Sequence, residues 1–544
     1  MFAPTIEAWQ ARANNHHIGA LALKQLTGLD ASFLYLETSS NPMHIGGLAI
    51  YDPSTAEGGA VGFKQILENV LKRAHKVEAM NNVLVEVPMR LDHPYWKSDG
   101  PFDPEFHIRH IALPKPGDWR QLCIQASRLH ARPLDRARPL WEFYIIEGLD
   151  NVEGFPPGCF AVLSKMHHAA IDGASGVEVA AAIHDLTPEY KHNQSRGEIK
   201  SERTPTNAEL LWRTQINNIR KPLRMYEVAK NTIPSIAKMA TGLARGKLSR
   251  VTDIPRTRFN TNVSPYRVFD AVEFELEDIK KIKNAVKGVT VNDVALAICG
   301  GGLRRYLLSK NELPKRSLAA MAPVNIRTKD QKGDAGNQVS QLTVRIGSDI
   351  EDPLARLAAV HAGTADAKEL NNAIGAKTMT DYTQFIPSTL TASAAKLSSR
   401  MALANRVKPS YNCVITNVPG PQVPLYFTGA KMLSNFGLGP AIDGMGLFHA
   451  LLSYCGKFNI SINACREMMP DPAFYAECLV ESFNELKAAT GVDTLNNKSS
   501  TKNSTPTKKR KTSKKKTAKK ASKKRATKTT KKTLSKKTKV SAKS

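Results

Sequence analysis

The 544-residue sequence contains no run of 18 or more apolar residues, and its first residues, Met1 to Ala13, are polar and include Glu7. Neither a membrane-spanning helix nor a secretory leader is therefore expected. Cysteine is scarce. The seven (Cys123, Cys159, Cys299, Cys413, Cys455, Cys465 and Cys478) form no CxxC pair, which favours reduced thiols in a cytoplasmic protein over a disulfide framework. Several catalytic signatures are also missing. There is no GxSxG, P-loop, HExxH, EF-hand or dinucleotide fingerprint, Gly173-Ala-Ser175-Gly176 has the wrong spacing for a nucleophile elbow, and Ser393-Ala-Ala-Lys396 lacks its companion motifs. Acid is absent from the C-terminal stretch, where residues 501–544 hold 20 Lys/Arg and no Asp or Glu.

What is present is enough apolar residue, 42%, for substantial cores, in a length that suggests two to four domains. The net charge of +28 is unevenly placed: the tail supplies +20, and residues 191–260, with 15 Lys/Arg against five Asp/Glu, supply +10. The rest of the chain sums to −2. A uniformly basic nucleic-acid binder is excluded, whereas a basic tail on an enzyme is not.

Apolar periodicity predicts an α/β fold. Residues 1–190 form a first domain, 191–265 a basic helical crossover, 266–495 a second α/β domain, and 496–544 a disordered tail of Lys, Thr, Ser and Ala that buries too little to offset its ordering entropy. Phe33 to Leu36 and Ile45 to Ile50 read as strands, as do Trp141 to Ile146, Cys159 to Leu163, Ala271 to Leu276, Gln341 to Ile346 and Asn412 to Thr416. Helices are expected over Phe63 to His75, Leu122 to Leu134, Leu210 to Ile219, Met225 to Leu248 and Asn292 to Leu308.

The most informative stretch is Ser164-Lys-Met-His167-His168-Ala-Ala-Ile-Asp172-Gly173-Ala-Ser-Gly176. An apolar strand runs into paired histidines, and Ser175-Gly-Val-Glu178 resembles a capping box opening a helix from Val179. Side chains on such a connection point from a rigid scaffold into a cleft. A neutral imidazole there can take a proton from an alcohol or thiol near neutral pH. The alternatives are histidines without catalytic duty, or a metal held by His168 and Asp172. No third ligand is evident nearby, and no metal is expected.

The pattern His167-His168-x-x-x-Asp172-Gly173 resembles the CoA-dependent acyltransferase superfamily, which also holds chloramphenicol acetyltransferases and peptide-synthetase condensation domains. Further blocks are similar to the bacterial wax ester synthase/diacylglycerol acyltransferase family, in that family's order over residues 26–490. They are Leu29 to Glu37 with Met43-His-Ile-Gly-Gly47, Leu91-Asp-His-Pro-Tyr-Trp96, Arg138-Pro139-Leu140-Trp141-Glu142, Val291-Asn292-Asp293-Val294, Pro323 to Arg327, Gly336 to Val339 and Asn417-Val-Pro-Gly-Pro421.

The resemblance implies two related CoA-dependent acyltransferase-like domains with mixed sheets, and an active site in a tunnel at their interface. It makes His168 the general base for direct transfer of a long-chain acyl group from acyl-CoA to diacylglycerol or a long-chain fatty alcohol. Acyl-CoA is then a substrate and no cofactor is implied. His167, Asp172 and Gly173 support the loop. Pro139, Leu140 and Trp141 either line a channel or pack, and Asn292 and Asp293 either cap a helix or meet the channel. Asn417 to Pro421 reads as a rigid turn.

Two hydrophobic substrates imply peripheral contact with a membrane or lipid droplet. The crossover, with Arg213, Arg220, Lys221, Arg224, Lys230, Lys238, Arg245 and Lys247 beside apolar residues, offers one such surface. The tail departs from the family pattern and suits DNA or another polyanion. The competing reading is a droplet- or nucleoid-binding scaffold with a decayed acyltransferase domain.

Overall fold

The computed structural model describes residues 23–100, 102–171, 173–190, 197–219, 251, 253–325, 339–374, 397–399 and 401–492. The described residues fall in one compact unit, and the expected tail, Asn496 to Ser544, lies outside them. The expected helix Met225 to Leu248 also lies outside them.

Helices α1 (Gly28–Leu36), α2 (Phe63–Arg73), α3 (Trp119–His130), α4 (Gly173–Ile183), α5 (Leu276–Ala285), α6 (Val291–Ser309), α7 (Pro353–Ile374) and α8 (Pro472–Ala489) surround two six-stranded sheets. The strands are β1 (His44–Asp52), β2 (Ile108–Ala112), β3 (Trp141–Glu147), β4 (Phe160–His167), β5 (Arg267–Glu275), β6 (Ala319–Asn325), β7 (Val339–Arg345), β8 (Cys413–Pro419), β9 (Tyr426–Phe427), β10 (Ala430–Leu438), β11 (Leu447–Tyr454) and β12 (Lys457–Cys465). The first sheet has the order β9-β10-β1-β4-β3-β2 and the second β7-β6-β8-β11-β12-β5. Both are mixed: β2–β3, β6–β8 and β8–β11 are parallel, and the other pairs antiparallel. The α/β expectation holds.

Strands β9 and β10 come from the second half of the sequence, yet β10 completes the first sheet against β1, with Gly437 opposite Gly47. No linear division of the chain expresses this exchange. The halves also meet where α3 packs on β5: Trp119 Nε1 donates to Asp270 Oδ1 at 2.8 Å, and its ring lies against Phe436. In the second half the core is built around α6. The three glycines Gly300 to Gly302 are there for close approach. A Cβ on Gly300 would sit 1.8 Å from the Ile346 carbonyl oxygen, so the helix packs backbone-to-backbone.

Three local expectations are corrected. Phe33 to Leu36 is the last turn of α1, not a strand. The helix begins where Thr27 Oγ1 accepts from Asp30 N at 3.1 Å and donates to the Asp30 carboxylate at 2.7 Å, a reciprocal cap. Helix α4 starts at Gly173, so Ser175 and Glu178 lie inside it rather than at its cap. Asn417 to Pro419 continues β8, paired in parallel with Leu451 to Ser453, and only Gly420 and Pro421 leave the strand.

Candidate active site

Strand β4, inside the first sheet, ends at Met166 and His167, where His44 of β1 stands directly opposite His167. His167 is fully buried. Its backbone N–H donates to the Leu140 carbonyl at 2.9 Å, and its ring Nδ1 accepts from Ala169 N–H at 3.0 Å. The proton of the neutral ring therefore sits on Nε2, which faces Glu37 Oε2 at 3.5 Å. His168 begins the connection to α4. Its backbone N–H donates to the Met43 carbonyl at 2.8 Å, and its half-buried ring stacks on Phe33, with centroids 3.9 Å apart and planes at 14°.

Glu37, directly after α1, is the centre of a buried charged cluster. Its Oε2 takes Arg136 Nε at 3.0 Å, its Oε1 lies 3.4 Å from His44 Nε2, and Oε1 also accepts from Met43 N–H at 3.4 Å. Burial opposes ionisation of Glu37. The neighbouring His167 and His44 rings and the Arg136 charge outweigh it and hold the carboxyl well below its usual range. His44 Nδ1 in turn donates to the His130 carbonyl at 3.3 Å. Helix α1 thus grips both motif histidines, His167 through Glu37 and His168 through Phe33, four residues apart on one helical face.

Burial pushes His167 down to about 4, against the pull of Glu37, and likewise pushes His184 and His449 to about 4. An unfolded histidine titrates near 6.5. Between these values the unfolded chain binds protons that the folded chain refuses. Stability is thus expected to fall as pH drops from 6.5 toward 4, by about 1.4 kcal/mol per pH unit for each such histidine. Urea midpoints at pH 7 and pH 5 check this, and equal midpoints would contradict it.

Of the other expected site residues, Trp141 is fully buried, donates from Nε1 to the Met80 carbonyl at 3.0 Å and stacks on His107 at 4.6 Å. Leu140 is buried beside Ala169 and contributes the carbonyl that holds His167, and Pro139 precedes it. Gly173 opens α4, and Asp172 lies outside the described residues. Asp293 completes the capping box that Thr290 opens at the start of α6: its Oδ2 accepts from Thr290 N–H at 2.9 Å and meets His361 Nδ1 at 2.9 Å, with Asn292 half-buried beside it. Among the described residues no three His, Cys, Asp or Glu are grouped to hold a metal.

Four residues the sequence did not single out belong to the site: Phe33, Glu37, His44 and Arg136. The signal was a lone acid closing the apolar run of α1. The blocks around them converge in space. Tyr35 OH meets His93 Nδ1 at 3.0 Å, and the apolar face of α1 packs on Leu140 and Ala169. The second half reaches the same place through the loop before β1, where Asn41 Nδ2 donates to Asp443 Oδ2 at 3.2 Å and the Ser40 carbonyl accepts from Arg267.

Residues 26–295 match the wax ester synthase/diacylglycerol acyltransferase catalytic domain, and residues 335–487 match the C-terminal domain that follows it in such proteins. The chain belongs to the wax ester synthase/diacylglycerol acyltransferase family. A Mycobacterium tuberculosis protein named as a diacylglycerol O-acyltransferase is 32% identical over 471 residues, 86% of this chain and 91% of its own. The O-acyltransferase WSD of Acinetobacter baylyi is 31% identical over 461 residues, 82% of this chain and 93% of its own. The wax ester synthase/diacylglycerol acyltransferase of Marinobacter aquaeolei VT8 superposes with a TM-score of 0.59 at 27% identity, covering 86% of this chain and all of its own. The first condensation domain of the CDA synthetase, at 14% identity and a TM-score of 0.52 over 86% of this chain and 97% of its own, shares the fold. The protein is an acyltransferase of this family, and its motif histidines stand at the end of β4 and directly after it in a two-domain α/β fold.

Proposed function

We propose that the protein moves a long-chain acyl group from acyl-CoA to the hydroxyl of diacylglycerol or of a long-chain fatty alcohol, with His168 as general base. The observation that carries the reading is the contrast between adjacent imidazoles. His167 is sealed in the core, its Nδ1 taking the Ala169 N–H and its Nε2 turned toward Glu37, whereas His168 is half-buried on the connection beyond the strand. The relatives' names supply the substrate classes.

In this scheme neutral His168 takes the hydroxyl proton as the oxygen attacks the thioester carbonyl. The tetrahedral intermediate then breaks its C–S bond, and the imidazolium returns the proton to the departing thiolate, giving ester and CoA. No nucleophilic side chain is needed. The thiols suit that: burial pushes Cys413 up to about 12 and Cys159 and Cys478 to about 11, and raises Cys123, Cys299, Cys455 and Cys465 as well. None is a thiolate near neutral pH. The deciding assay follows CoA release from palmitoyl-CoA with hexadecanol or dioleoylglycerol; no release with either, where a family member works, overturns the reading.

The same proposal includes peripheral contact with a lipid surface. No described helix is long and apolar enough to cross a membrane. The helix over 207–219 buries Leu210 and Thr214 and turns Trp212 (68% exposed) and Ile219 (73% exposed) to solvent, with the basic sequence of 220–250 directly after. Such a face suits an anionic interface. Trp212→Ser with Ile219→Ser is expected to lower flotation with anionic vesicles severalfold, and unchanged flotation would remove this surface from the proposal. Ending the chain at Asn497 tests the tail: equal DNA binding at two salt concentrations would show that the tail binds no polyanion.

A further inference from the structure

Helix α1 delivers Phe33 to the general base in a geometry that ordinary packing does not favour. The centroid separation of 3.9 Å is the shortest of any ring pair among the described residues, and at 14° the two rings lie face to face. Two neutral aromatic rings prefer an offset or edge-on arrangement, because their negative faces repel. The preference reverses when one ring carries a positive charge, which a π face attracts within about 6 Å. An imidazole that becomes an imidazolium during each turnover meets that condition.

We propose that Phe33 is a positioning residue for acyl transfer, its ring forming a cation–π platform under His168 that holds the imidazole plane and stabilises the imidazolium formed as the base takes the acceptor proton. The inference rests on His168 being the base. It goes beyond that reading by assigning a source of transition-state stabilisation that is absent from the ground state, where the imidazole is neutral.

The platform is fixed from three directions. The reciprocal cap of Thr27 and Asp30 anchors the start of α1. Arg136 anchors its end, with Nε donating to Glu37 at 3.0 Å and NH2 to the Leu34 carbonyl at 2.8 Å. Ala31, Leu34 and Tyr35 bury the helix against Leu140 and Ala169. His168 is held from the other side by its backbone bond to Met43. The backbones that carry both rings are therefore anchored.

The test uses the full chain with Phe33 replaced by 4-fluoro-, 3,5-difluoro- and 3,4,5-trifluorophenylalanine. These keep the ring's shape while draining its face of electron density. The single-turnover rate of CoA release is measured with palmitoyl-CoA and hexadecanol, and in a parallel series with dioleoylglycerol. The rate is expected to fall stepwise with fluorination, to about one-tenth for the trifluoro variant, with KM for both substrates within twofold. Phe33→Leu is expected to lose about tenfold or more, and Phe33→Tyr to keep most of the rate.

A flat rate across the fluorinated series, or a wild-type rate in Phe33→Leu, overturns the platform. His168→Ala run alongside separates the two readings. If it retains turnover the base assignment fails and the platform with it. If it is inactive while the fluorinated series stays flat, only the platform fails.

Discussion

His168→Ala is expected to lower CoA release by about a thousandfold while leaving the far-ultraviolet circular dichroism and the unfolding midpoint close to those of the parent protein. The reason for both halves lies in the position of the ring. His168 sits half-buried beyond the end of β4, and the bond that holds its backbone, from its N–H to the Met43 carbonyl, survives any side chain at that position. His167→Ala should behave differently. It removes the acceptor of the Ala169 N–H and one of the groups around the Glu37 carboxylate inside the core, so the loss is expected mainly in stability, about 2 kcal/mol. Comparing kcat with urea midpoints for the two variants assigns the roles. Near wild-type turnover in His168→Ala would remove it as the base.

Glu37→Ala is expected to cost about 3 kcal/mol of stability and most of the activity. The carboxylate satisfies Arg136, faces the N–H of His167 and accepts from Met43, and its removal leaves those groups without a counterion or acceptor in a buried space. Met43 is also the residue whose carbonyl holds His168, so the disturbance reaches the base. Glu37→Gln keeps an oxygen for one neighbour but gives up the charge opposite Arg136, and should fall between the parent and the alanine variant. Denaturant midpoints together with CoA release check this, and an alanine variant as stable and active as the parent would contradict it.

Sequence pattern reached the fold class because its signals are local. Apolar runs such as Cys159 to Leu163 and the long period of α6 need only neighbouring residues to declare themselves. It failed for Phe33 to Leu36 because a short apolar run fits a strand and a buried helix equally well. The cap that Thr27 makes on Asp30 N–H separates the two. It placed the start of α4 after Ser175 by trusting a capping pattern, although the helix had already begun at Gly173. The bond from Trp141 to the Met80 carbonyl and the pairing of Asp293 with His361 join residues far apart in the chain, which no local pattern shows.

The sequence by itself determined the chemical inventory: two histidines at the end of an apolar strand, an acid and a glycine after them, no nucleophile motif, and a positive charge confined to crossover and tail. Only the tertiary structure decided which histidine is sealed in the core and which stands half-buried beyond the strand. That division is made by groups far apart in the chain, with Glu37 and Arg136 closing over His167 and Phe33 stacking on His168. Tertiary structure likewise decided that β10 would complete the first sheet against β1. A strand's pattern shows that one face is apolar and says nothing about which distant strand will hydrogen-bond to its edge. The burial of His167 follows from the same cause, because desolvation belongs to the assembled core and to no segment of the sequence alone.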